Sequence, residues 1–187
     1  PRTNGRRLLV LSSNGEVLEA IDPHFEGIWR YNPTDVRADR GRLLLTGNGK
    51  RQLCAGTGCR DVPGPAVVEL DAAWHVAARF APGDGIEGGN WGESSGMAAL
   101  PDGGIVAVTA PDSRFIRFAP DGSPAHIWRS PRSGPGSIDA PSGVAVATGP
   151  DGTPHVFIAD SVSHRIARFA SDGTFEREWS AGPDGIP

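Results

Sequence analysis

The chain has 187 residues, enough for a domain with a real core, and carries a formal charge of −4 with a pI near 5.7. That balance argues against a nucleic-acid surface, which needs clustered cations, and the basic residues are almost all arginine, Lys50 being the only lysine. No apolar run reaches the ~18–20 residues that span a bilayer as a helix, and no basic start leads into an apolar leader. High glycine (26) and proline (17) suit many short strands joined by tight turns.

In chain order, the first predicted element is a hairpin. Arg7-Leu-Leu-Val-Leu11 leads into Asn14-Gly15, and a second strand closes on Ile21. Asn-Gly and Asp-Gly favour tight hairpins because they take positive φ cheaply. Next come Pro33-Thr-Asp-Val-Arg-Ala, a turn at Asp39-Arg-Gly41, and Arg42-Leu-Leu-Leu-Thr46. A glycine- and arginine-rich insertion, 47–65, precedes a weaker hairpin from Ala66 to Phe80, where Ala73-Trp74 replaces the Asp-Gly turn. Ser95-Gly-Met-Ala-Ala-Leu, Pro101-Asp-Gly-Gly104 and Ile105-Val-Ala-Val-Thr109 lead to the hairpin Arg114–Trp128 with its turn at Asp121-Gly122. Pro141-Ser-Gly-Val-Ala-Val-Ala, a Gly-Pro-Asp-Gly turn, and His155-Val-Phe-Ile-Ala-Asp160 lead to Arg165–Trp179, with its turn at Asp172-Gly173.

The four hairpins superpose without gaps, and their turns at 15, 74, 122 and 173 are spaced by 59, 48 and 51 residues. Periods of roughly 40–50 residues belong to propeller blades, and four antiparallel strands make one blade. Runs such as Leu8-Leu-Val-Leu11 and Val156-Phe-Ile158 lack polar alternation, as expected where blades cover both faces of a strand. The predicted fold is all-β: a β-propeller of four-stranded antiparallel blades, about three and a half of them present. The divisions expected are an outer half-blade at 1–31, blades at 32–92 (with the cysteine-containing insertion), 93–139 and 140–181, and the start of another at 182–187.

Pro141-Ser-Gly-Val-Ala-Val followed by Phe157-Ile-Ala-Asp-Ser-Val-Ser-His-Arg-Ile-Ala-Arg-Phe-Ala-Ser-Asp-Gly-Thr-Phe175 resembles an NHL repeat almost position for position, with Ser163 where that family often has Asn. The resemblance is strongest over 93–180 and degenerate over 32–92. It implies a propeller that in this family is most often six-bladed. It also implies that Asp160, His164 and Arg165 are scaffold positions, although an acid, a base and a cation together suggest catalysis. The other copies place Ser113 and Pro65 where this one has His164.

Cys54 and Cys59 are the only cysteines. A small disulfide loop is the favoured expectation, with free thiols and a zinc site as rivals; zinc needs two further donors and no histidine lies near in sequence. A disulfide suits a secreted or periplasmic domain of bacterial-like composition. Lys50, Arg51 and Arg60 make the insertion basic, so that it could attract an acidic ligand.

By fold analogy, loops between blades and between second and third strands share the face around the axial channel. The segments 22–32, 81–95 and 130–140 supply ligand-binding candidates there: His24, Arg30, Tyr31, Asn90, Glu93 and Asp139. Trp29 and Trp91 fit packing between blades as well as binding. Of the five histidines, His75 and His126 fall in outermost strands, and only His24 is well placed. Two functions from different classes follow. One is a binding or scaffold module recognising a protein, peptide or glycan on the channel face, with no cofactor. The other is a metal-dependent lyase or lactone hydrolase of the six-bladed type, in which calcium or zinc enters.

Overall fold

The structure is a computed structural model, and it describes residues 8–21, 30–55, 58–63, 66–81, 94–110 and 113–180. No helix occurs among them. Among the described residues, fifteen strands form four antiparallel sheets. β1 (Leu8–Leu11) and β2 (Val17–Ile21) make a two-stranded unit. β3 (Arg30–Asp39), β4 (Arg42–Ala55), β6 (Val67–Leu70) and β7 (Val76–Phe80) follow in order, with β5 (Gly58–Pro63) paired on β4. β8 (Ser94–Ala99), β9 (Ile105–Thr109), β10 (Arg114–Phe118) and β11 (Pro124–Arg129) form the next sheet. β12 (Pro141–Thr148), β13 (Pro154–Asp160), β14 (Arg165–Ala170) and β15 (Phe175–Ser180) form the last. The fold is a partial β-propeller: meandering sheets stacked side by side, with β3 beside β8 and β8 beside β12.

The middle strands β4, β6, β9 and β10 divide their side chains between two apolar layers. Leu45, Val68 and Leu70 pack with Leu8 and Trp74 in the first layer. Leu44, Val67 and Phe80 meet Met97, Ile105, Ala107, Ile116 and Phe118 in the second. Val106, Val108 and Phe115 meet Val144, Val156, Ile158, Ala167 and Phe169 in the third. Successive side chains of a strand point to opposite faces. Ile105 and Ala107 therefore serve one layer, and Val106 and Val108 the next. That is why all five residues of β9 are buried and its sequence shows no polar alternation. β1 is covered on one side only: Leu9 and Leu11 are half exposed while Leu8 is partly buried.

The hairpin turns behave as their chemistry requires. Gly15, Gly122 and Gly173 have φ of +87°, +85° and +90°, and Trp74 takes the same left-handed region in the degenerate copy, at φ 65°. The turn glycines also bring sheets together. A Cβ on Gly122 would lie 2.7 Å from the Arg79 carbonyl oxygen, and one on Gly173 would lie 2.7 Å from the Trp128 ring. Each turn thus rests on the outer strand of the preceding sheet.

Two expectations change. The insertion at 47–65 is not simply a lengthened loop: β4 runs on to Ala55 and turns back as β5, with Cys54 and Cys59 directly opposed and joined by a disulfide. Glycines and arginines there hide a strand, since neither residue type is enriched in sheets. His75 lies in the turn before β7 rather than within an outermost strand, whereas His126 does lie in one, β11.

Candidate functional site

The channel-side ends of the inner strands share one local design. Pairing between β3 and β4 skips a residue between Pro33 and Asp35; β8 and β12 do the same between Ser94 and Gly96 and between Pro141 and Gly143. The skipped residues are Thr34, Ser95 and Ser142. A bulge re-aims the side chain it carries, and here that side chain is a hydroxyl. Thr34 donates to the Ser94 carbonyl at 3.0 Å, and Ser95 donates to the Pro141 carbonyl at 2.6 Å. Two successive sheet boundaries are therefore clasped by the same repeat position. Gly96 makes the approach close, since a Cβ there would sit 3.3 Å from Gly143 Cα and from the Val144 amide nitrogen.

The loop entering β12 is held by a buried ionic centre. Asp160, 1% exposed, binds Arg165 Nε at 3.1 Å through Oδ2. Its Oδ1 accepts the backbone amides of Asp139 at 3.2 Å and Ser163 at 3.3 Å. Arg165 continues to Glu178 at 2.9 Å, to the Ser137 hydroxyl at 2.8 Å and to the Ser137 carbonyl. Ser130 Oγ accepts the Ile138 amide, and Ser161 Oγ donates to the Ala140 carbonyl at 2.7 Å. A buried carboxylate with three donors around it is compensated, as desolvation requires.

His164 stands outside this network. It is exposed and has φ 51°; Ser113, its counterpart in the preceding sheet, has φ 47°. The shared feature of that position is a left-handed backbone rather than an imidazole. Asp160 and Arg165 tie strands as expected, and His164 is not brought into contact with them by any described hydrogen bond.

The opposite, turn-side end carries a row of scaffold carboxylates. The Gly104 amide, together with Arg117, holds Asp102 below the usual carboxylate range. The hydroxyl and amide of Ser123 do the same for Asp121. The Thr153 and Thr174 amides, each backed by its own hydroxyl, lower Asp151 and Asp172. Arg40 and Arg42 reach across to the turn of the next sheet, bonding the carbonyls of Leu100, Pro101 and Gly103 at 2.8–3.0 Å.

Of the six candidate ligand residues, Asp139 is exposed beside β12, with its amide fixed by Asp160. Arg30 and Tyr31 do not lie in a loop between sheets. Their backbone belongs to β3, opposite Lys50 and Gly49 of β4, because the extended β4 gives them a partner. His24, Asn90 and Glu93, like Trp29 and Trp91, lie outside the described residues. The hydroxyl clasp went unread in the sequence, although Pro33-Thr34, Ser94-Ser95 and Pro141-Ser142 recur at the head of each inner strand. No group of three or more His, Cys, Asp or Glu residues able to hold a metal ion occurs among the described residues.

No family model matches the chain, and no curated protein matches it. Solved structures do. A streptogramin B lyase structure superposes with a TM-score of 0.61 at 14% identity, covering 96% of this chain and 49% of the other. A gluconolactonase from Xanthomonas campestris gives 0.58 at 18% identity, covering 97% and 57%. Hydrazine synthase of Kuenenia stuttgartiensis gives 0.54 at 14%, covering 89% and 38%. At these identities the likeness shows the propeller fold alone. The chain spans about half the length of the lyase chain.

Proposed function

We propose that the chain is part of an NHL-like propeller that acts as a binding or scaffold module, recognising a protein, peptide or glycan on its channel face without a cofactor. The observation that supports this reading is how the described channel-side polar groups are used. Thr34 and Ser95 are engaged in clasping sheets, and Asp160 and Arg165 in pinning the 130–140 loop. A face whose hydrogen-bonding groups fix backbone offers a rigid platform, and rigid platforms carry recognition residues well. Asp139, Arg30, Tyr31, His24, Asn90 and Glu93 are the contacts proposed, within blades dividing near residues 31, 92, 139 and 181.

The disulfide supports a secreted or periplasmic setting. No helix of the described residues is long and apolar enough to cross a membrane. A second reading, a metal-dependent lyase or lactone hydrolase, draws support from neighbours that are a lyase and a gluconolactonase. In that case calcium or zinc would be held in the channel.

One experiment separates them. The full-length protein is assayed for metal content and for lactone hydrolysis and ring-opening elimination, alongside binding to peptide and glycan panels. Saturable binding without turnover is expected. Stoichiometric channel calcium or zinc, with turnover abolished by chelation, would overturn the recognition reading in favour of the enzyme.

A further inference from the structure

At each sheet boundary the turn of one outer hairpin is seated on the outermost strand of the sheet before it. The Gly173 turn lies on the Trp128 ring, and the Gly122 turn lies under the Arg79 carbonyl. In the degenerate copy Trp74, at the same repeat position, donates its indole N–H to Glu19 of β2 at 2.6 Å. Among the described residues, the four turns and four outermost strands thus make three contacts, and one of each is left over. The turn left over is Asn14-Gly15, where a Cβ would meet nothing within 4 Å. The strand left over is β15, whose Trp179 holds the repeat position of Trp128. Trp128 packs against the third layer and the following turn, whereas Trp179 is 38% exposed. Both features sit on apolar faces. Leu8 turns to the first layer, so Leu9 and Leu11, with Val17 opposite Leu11, share the other side of β1–β2, and all three are exposed. Ala167 and Phe169 serve the third layer, so Ile166 and Arg168 face away from it. Ile166, about half exposed, is opposite Trp179, and Arg168 is opposite Phe157 and Arg177. Phe157 stacks on the Trp179 ring at 6.1 Å, with the Arg177 and Arg168 guanidinium groups over that ring at 5.0 and 5.9 Å. Glu176 is engaged by Arg168 and His155. Charge matches as well: residues 8–21 contain Glu16 and Glu19 and no cation.

We propose that the open β1–β2 hairpin of one copy of this chain seats on the open face of β12–β15 in a second copy, so that two copies close a ring through two identical junctions. Leu9, Leu11 and Val17 bury against Phe157, Ile166 and Trp179, and the Asn14-Gly15 turn rests on Trp179 as the Gly173 turn rests on Trp128. Gly15 is unopposed in the single chain and meets Trp179 only across the junction. The junction continues a contact that the chain already makes three times within itself, which commits the face to a second copy rather than to an unrelated partner. The two surfaces are unlike, so the contact is heterologous, and such contacts either close or run on as filaments. The length of the arc sets closure at two: 96% of this chain superposes on 49% of the lyase chain, so two arcs match one such chain. The inference stands apart from whatever the channel face binds.

The test is the mass of the full-length protein in solution, by sedimentation equilibrium over a range of concentrations, with one variant in each surface. The parent is expected to be a dimer, and Leu9→Asp and Ile166→Asp, both at exposed positions, are each expected to be monomers with unchanged circular dichroism. Trp179→Ala is expected to weaken the dimer by about thirtyfold, as for a buried tryptophan at the centre of an interface. Mixing the Leu9→Asp and Ile166→Asp chains is expected to restore a weaker dimer, because that pair keeps one junction with both surfaces intact. Rescue needs two folded chains, so misfolding cannot imitate it. A monomeric parent, an open-ended series of larger oligomers, or a dimer that survives both substitutions would overturn the inference. A dimer broken by only one substitution, the mark of a surface that pairs with itself, would overturn it too, as would the absence of rescue.

Discussion

The Ser95 hydroxyl bonds the Pro141 carbonyl at 2.6 Å across the boundary between two four-stranded sheets. Thr34 repeats the contact one sheet earlier. Ser142, the third member of the series, is exposed and has only a 3.5 Å contact to the Ala159 carbonyl within its own sheet. Ser95→Ala is therefore expected to cost about 1 kcal/mol, and Ser142→Ala nearly nothing. In a domain of this size the first corresponds to a fall of roughly 2–4 °C in melting temperature. Equal effects from both substitutions would show that the clasp contributes no stability.

The turn glycines allow conformation and close approach to be separated. Gly15 and Gly122 have nearly the same positive φ, but only Gly122 lies against another sheet, under the Arg79 carbonyl. Gly15→Ala is expected to cost about 1–2 kcal/mol, the left-handed penalty alone. Gly122→Ala adds an overpacking cost of ~1–3 kcal/mol. Urea unfolding of the two variants measures the difference directly.

Much of this design was legible in the residues. Asn14-Gly15, Asp121-Gly122 and Asp172-Gly173 announce their turns because few other residues adopt that backbone, and their spacing reveals the repeat. Even the degenerate Ala73-Trp74 turn keeps the geometry, with Trp74 in the left-handed region. The β4–β5 hairpin was hidden because its sequence, Gly47 to Pro65, lacks the alternating β-branched residues that mark a strand; its pairing is closed by register and by the disulfide. The positions of Arg30 and Tyr31 followed from that hidden partner. The clasp was hidden for another reason. A serine hydroxyl carries no signature of which carbonyl it will meet, and only the three aligned strand heads expose the pattern.

The acid limb of stability follows from the turn carboxylates. Asp102, Asp121, Asp151 and Asp172 titrate below their ordinary value in the folded chain. A depressed folded pKa gives stability that is complete above the unfolded value, near ~3.9, and is lost as pH falls through the folded one. Unfolding midpoints in urea are expected to be insensitive to these groups between pH 7 and about 5 and to decline below about 4. Asp172→Asn is expected to flatten that decline, and an unchanged acid slope would exclude Asp172 as a contributor.

Asp160 and His164 are neighbours in sequence with opposite expected sensitivities. Removing the buried carboxylate in Asp160→Ala leaves Arg165, whose side chain is 14% exposed, without its fully buried partner, and a loss of about 3 kcal/mol is expected. His164→Asn keeps a residue tolerant of the left-handed backbone and is expected to stay within ~0.5 kcal/mol of the parent. A stability-neutral Asp160→Ala that abolished a catalytic activity would assign the acid to chemistry rather than to the scaffold.

The stacking of separate four-stranded sheets, each covered by its neighbours, is most directly tested by amide hydrogen exchange resolved to single residues. Slow exchange is expected in the middle strands Ile105–Thr109, Arg114–Phe118, Pro154–Asp160 and Arg165–Ala170, broken by fast exchange at the turn residues Asp102, Asp121, Asp151 and Asp172. Strand-like protection continuing through Asp121 and Asp172 would contradict the stacked-sheet architecture.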